Sequence, residues 1–90
     1  MQMFVKVRID RSQLQALAAQ LASGALDLRA MQWTFCVEQD LTVGMSLWQV
    51  ADREEFERMF AALQPYCAEV LELTPVVTSQ EAQARLLAGE

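Results

Sequence analysis

Met3, Val5, Val7 and Ile9 share one parity of the first run of the chain, and Phe4, Lys6 and Arg8 the other. Period-two alternation with β-branched residues specifies a strand whose two faces meet different surroundings. The aliphatic row is a core face. The second row places two cations side by side in a chain of net charge −5 that holds only seven Lys and Arg in all. The same period returns later. Met31, Trp33, Phe35 and Val37 alternate with Gln32, Thr34 and Cys36, and VGMSLWQV follows after EQDLT. The EQD connection, extended by Leu41 and Thr42, suits an antiparallel hairpin. Gly44 weakens a strand interior and marks a bulge or a close approach.

Helical patterns separate these strands. Asp10 or Ser12 caps a first helix with Leu14, Leu17, Ala18 and Leu21 on one stripe, stopped by Gly24. ALDLRA is a connector. Asp52 and Glu55 form a capping-box pair ahead of a second stripe of Phe56, Met59, Phe60 and Leu63. On its other side Glu54 with Arg58, and Arg53 with Glu57, are spaced for surface ion pairs. Those carboxylates form the solvated face of a helix. Pro65 ends that helix or kinks it. AEVLELTPVV is a last strand, and Pro75 places it at an edge or at its own end. Thr78 and Glu81 repeat the capping signal before a short helix from Ser79 to Ala88, with Leu86 and Leu87 as its anchors.

The order β-α-β-β-α-β plus a terminal helix is the ferredoxin-like split βαβ pattern. It predicts an α+β domain over residues 1–90. A four-stranded antiparallel sheet carries two helices on one face and leaves the other face open. Phe4, Lys6 and Arg8 should point to the open face. Met45 and Leu47 lie on one side of the third strand, and Ser46, Trp48 and Val50 on the other. Trp33 and Phe35 can serve either face. An open face with Phe4, a Trp and valines reads as an interface or a ligand site.

Composition narrows the chemistry. Ninety residues make one small domain, and 53 % of them are hydrophobic, above the usual share of about 45–50 %. Oligomerisation is a natural supplement at this size. Twelve acids against seven cations argue against nucleic acid, which needs a basic stripe. No apolar run approaches the roughly 20 residues that span a bilayer, and the alternating start is unlike a signal peptide. A cytoplasmic location is expected. The chain has no histidine, which removes the usual nucleophile pairs and proton shuttle. Cys36 and Cys67 cannot hold zinc alone, and both read as buried free thiols. No metal and no cofactor are expected.

GMSLWQVADREEFERMF and EVLELTPVVTSQEA, with this element order, resemble an uncharacterised family of small bacterial proteins with the dimeric α/β-barrel form of the ferredoxin-like fold. The matching residues are Gly44 to Trp48, Asp52, and Thr74-Pro75-Val76. The resemblance implies two sheets packed face to face in a homodimer. In the wider superfamily some members are small oxygenases, isomerases or haem-degrading enzymes. Haem chemistry there often uses His, which this chain lacks.

Candidate site residues follow. Lys6 and Arg8 offer an anion site inside the barrel, or else pair with Glu69 or Glu72 across strands. Trp48, Trp33 and Tyr66 can line a pocket for a flat ligand, or simply pack. Cys36 becomes a reactive thiolate only beside a cation such as Lys6. The leading expectation is a homodimer with a small hydrophobic or anionic ligand between the sheets, near Lys6, Arg8, Cys36, Trp48 and Tyr66. The competing expectations are a cofactor-free monooxygenase- or isomerase-type enzyme and a protein-interaction module using the C-terminal helix.

Overall fold

A computed structural model describes residues 1–90. The elements run β1 (Gln2–Ile9), α1 (Leu14–Ser23), β2 (Met31–Val37), β3 (Asp40–Gln49), α2 (Arg53–Leu63), β4 (Cys67–Val76) and α3 (Ser79–Leu87). The strands form one antiparallel sheet in the order β2-β3-β1-β4. This is the ferredoxin-like arrangement that the order of patterns predicts.

The core lies on one face of the sheet. Met3, Val5 and Val7 from β1 meet Trp48 and Val50 of β3 beneath Phe56, Phe60 and Leu63 of α2. Period two on the strands and the three-to-four spacing on α2 therefore converge on one layer. The aromatic pairs are ordered: Trp48 meets Phe56 edge-on at 5.6 Å, and Phe56 stacks on Phe60 at 5.5 Å. Trp48 donates its ring N–H to Ser46 Oγ at 2.8 Å, so the buried indole is satisfied.

α2 begins as its capping signal requires. Asp52 Oδ1 accepts from Glu55 N at 2.8 Å, and Arg53 Nε bonds Glu57 at 3.3 Å on the outer face. Of the two surface pairs expected there, only this one forms. Pro65 converts the helix end into a 3-10 turn, Gln64–Tyr66. Thr78 caps α3 through Glu81 N at 3.1 Å.

Three expectations need correction. The α1 stripe is barely buried: Leu14 is 56 % and Leu21 48 % exposed, and only Leu17 of α1 packs on the core. Leu86 and Leu87 of α3 are 69 % and 83 % exposed, so they anchor nothing within the protomer. Cys36 is exposed rather than buried. The helix layer stops short of β2, which leaves Thr34 and Cys36 bare on that side. Gly44, opposite Cys36, has open space where a Cβ would stand, so no close approach demands a glycine there.

The chain is consequently elongated. Its radius of gyration is 14.8 Å, with extents of 48 × 29 × 18 Å, whereas a compact chain of this length has about 12 Å. Its accessible surface is 6179 Å², against about 5,300 Å² expected for its mass. A single protomer leaves apolar surface uncovered on both sides of the sheet.

The two sheet edges differ. β4 carries Pro75 and the acids Glu69 and Glu72, each a device that discourages pairing, while both edge strands pair inward with two register shifts each. β2 carries no Pro and no charge along its length.

Candidate functional site

The open face divides into an aromatic half and a charged half. Trp33 and Phe35 of β2 project there, level with Leu47 and Met45 of β3. Phe4 of β1 continues the row, with centroids 6.4 Å from Trp33, and Trp33 is 5.2 Å from Phe35. Trp33 is 37 % and Phe35 62 % exposed. The sequence alone left the face of these two open; the Phe4 contact settles it.

The charged half lies where β1 meets β4. Arg8 Nε bonds Glu69 Oε1 at 3.1 Å. Its Nη1 bonds Asp40 Oδ2 and, at 3.2 Å, Thr42 Oγ1. Glu69 was an expected partner from its place on the last strand. Asp40 was not, because that stretch reads as hairpin connection. In fact β3 starts at Asp40, and Val37 faces Asp40 while Cys36 faces Gly44. The extra residues form a bulge that curls Asp40 and Thr42 over Arg8. Two of the fork's nitrogens are thus committed to protein carboxylates, and the guanidinium offers little to a ligand.

Asp40 also accepts from the backbone N–H of Thr42 at 3.1 Å and from its hydroxyl at 2.6 Å. The Thr42 hydroxyl first, then Arg8, lowers its carboxyl to about 2. A group with a depressed folded pKa adds stability above its unfolded value of about 3.9 and loses it as pH falls toward 2. We expect the melting-temperature gap between wild type and Asp40→Asn to be present at pH 6 and to close between pH 4 and pH 2. A gap that ignores pH would count against this network.

Lys6 lies opposite Glu72 in the register. Glu72 instead accepts from Thr74 Oγ1 at 2.8 Å, and Lys6 forms no ion pair within 4.0 Å. The two cations therefore have different fates: Arg8 is clamped, and Lys6 stands half-exposed on the open face.

The other candidates do not join them. Trp48 is fully buried on the opposite face of the sheet. Its parity with Ser46 and Val50 follows from the sequence. Its pairing with Met3, which sets the face, does not. Cys36 also faces the helix side, and β3 lies between its strand and β1, so Lys6 is not its neighbour. Tyr66 is half-buried in the turn before β4, where its carbonyl accepts from Asp10 N at 2.9 Å. Burial raises the Cys67 thiol above its ordinary range, which suits an inert packing role.

Three clefts mark the surface. One of about 690 Å³ separates α2 from the α1–β2 connector, with Arg29, Gln49, Glu55, Arg58 and Met59 in its wall. One of about 740 Å³ lies under α3, between Gln2, Pro75, Glu81 and Arg85. The third, about 460 Å³, runs past Arg8, Asp10, Asp40 and Thr42. Arg8 is the one predicted site residue in any of these three walls. No three His, Cys, Asp or Glu side chains are grouped to hold a metal ion. No helix is long and apolar enough to cross a membrane.

No protein-family model and no curated protein matches the chain. A solved structure from Chloroflexus aurantiacus J-10-fl, described provisionally as an antibiotic biosynthesis monooxygenase, aligns over 86 % of this chain and 93 % of its own. The identity is 19 % and the TM-score 0.45. That likeness assigns neither a substrate nor a reaction.

Proposed function

We propose that the chain is a cytoplasmic homodimeric domain that covers the open face of its sheet with a second copy and holds a small hydrophobic ligand between the two sheets. One observation carries this reading: Phe4, Trp33 and Phe35 form a contiguous aromatic row on a face that no element of the protomer covers. Exposed aromatic rows of this kind mark interfaces and ligand grooves. A stable dimer needs about 800 Å² from each partner, and a sheet face is a surface of that order. The face also carries both signs of charge, with Lys6 free and Glu72 beside it. A two-fold contact can therefore place Lys6 of one copy near an acid of the other. Two free thiols agree with a reducing compartment.

Binding is favoured over catalysis because the candidate groups do not converge. Arg8 is held by Asp40 and Glu69, and Trp48 is on the other side of the sheet. A ligand with a carboxylate would meet Lys6, while its body would meet the aromatic row. Sedimentation tests the dimer. Phe35→Glu, at an exposed position, should halve the sedimenting mass with the helical signal intact, and Phe4→Glu should do the same. A wild-type chain that sediments as a monomer at micromolar concentration overturns the reading.

A further inference from the structure

Between Arg11 and Glu38 the chain has only two charged residues, Asp27 and Arg29. They cancel locally, since Arg29 Nε and Nη2 each bond Asp27 at 3.0 Å. This stretch forms α1, its connector and β2. Every residue of α1 except Leu17 is exposed, and so is every residue from Gln32 to Cys36 in β2. Exposed helices normally carry charge, as α2 and α3 do here with Glu54, Glu57 and Arg85. α1 carries Leu, Ala, Gln and Ser only.

We infer that α1 and the free edge of β2 form a second interface, and that its occupant is another copy of this chain. Charge supports that choice. Two copies of a −5 chain repel wherever their acids meet. The α1–β2 flank is where two copies can approach without that cost. It is self-complementary because a neutral surface has no like-charge conflict with itself.

One symmetry operator serves both elements. A two-fold axis normal to the sheet beside β2 pairs β2 with its symmetry mate in antiparallel fashion. The same axis leaves both helix layers on one side. The β1–α1–β2 unit skips β3, so α1 crosses from β1 toward the β2 edge. The two copies of α1 then run alongside each other across the axis. Their Leu14, Ala18 and Leu21 stripes cover one another. The gap over Thr34, Cys36 and Gly44, where the helix layer stops short, lies beneath them. The sheet grows to twice its strands. This contact is independent of the open-face dimer. It uses the β2 backbone and α1, not the side chains of the aromatic row.

Sedimentation and amide hydrogen exchange test it on the full chain. Ala18→Glu puts a charge at the middle of the stripe, and Leu14→Glu puts one in the first turn, where the helix dipole favours it. Both positions are exposed, so the protomer fold should survive. Each variant should lower the assembly mass twofold, and the outward amides of β2 should lose protection. Phe4→Glu, two strands away from this edge, should leave β2 protected. Unchanged mass and unchanged β2 exchange in both α1 variants overturn the inference. If Phe4→Glu alone lowers the mass, the open-face dimer stands without this edge. If the α1 variants alone lower it, the edge stands and the open-face dimer fails.

Discussion

Phe56→Ala should cost about 3–5 kcal/mol, the usual range for emptying a buried phenyl site. Phe56 is 1 % exposed and stands between the edge of Trp48 and the face of Phe60. Its neighbours cannot collapse inward easily. Trp48 is tied to Ser46, and Phe60 is fixed on the same helix one turn away. Only 10 of 90 residues are buried, so this one ring is a large share of the core. Small domains hold only about 5–15 kcal/mol in total, and this one sits at the low end. Urea unfolding of both proteins at one protein concentration would show it, since self-association shifts apparent stability. A cost below about 1 kcal/mol would mean that the α2 layer is not packed as described.

Ser46→Ala is the second test, at an expected cost of about 1–3 kcal/mol. The substitution removes one small hydroxyl and no apolar packing. Its effect comes from the partner. Trp48 Nε1–H has Ser46 Oγ as its acceptor at 2.8 Å, in a site where the indole is fully buried. Without that acceptor, a polar N–H stays dry and unpaired. Ser46→Thr keeps the oxygen and should recover most of the loss. If Ala and Thr prove equally mild, water reaches the indole and the site is less dry than its burial implies.

The residues that could be read in advance share one property: their signals are local. Asp52 with Glu55 and Thr78 with Glu81 are contacts three residues apart, and both caps form. The stripe of Phe56, Phe60 and Leu63 is set by helical period, and all three are buried. β2 spans the stretch that its alternation marks, but a bulge at Gln32 turns Met31 to the core beside Trp48 and leaves Trp33 on the open face, a break in parity that period two does not foretell. What escaped depends on pairing across the sheet. Trp48 is on the core side because Met3 stands opposite it, and no local pattern encodes that register. Asp40 reaches Arg8 only because a bulge lengthens β3 by several residues. The exposed leucines of α1 and α3 escaped for another reason. An amphipathic stripe states that a helix has an apolar side, but not whether its own protomer or a neighbour covers it.

The unlike edges of the sheet set a limit on growth. A strand edge that is bare at both ends of a sheet is a template for open-ended stacking, the route to fibres. Here β4 is closed to such pairing by Pro75 and the acids Glu69 and Glu72, none of which has a counterpart in β2. Only β2 is left to accept a neighbour, and a two-fold contact at β2 consumes both open edges at once. Each addition then presents only terminated edges. The chain can extend its sheet once and no further, so the Pro75 end of the molecule acts as a chain stopper for the β2 end.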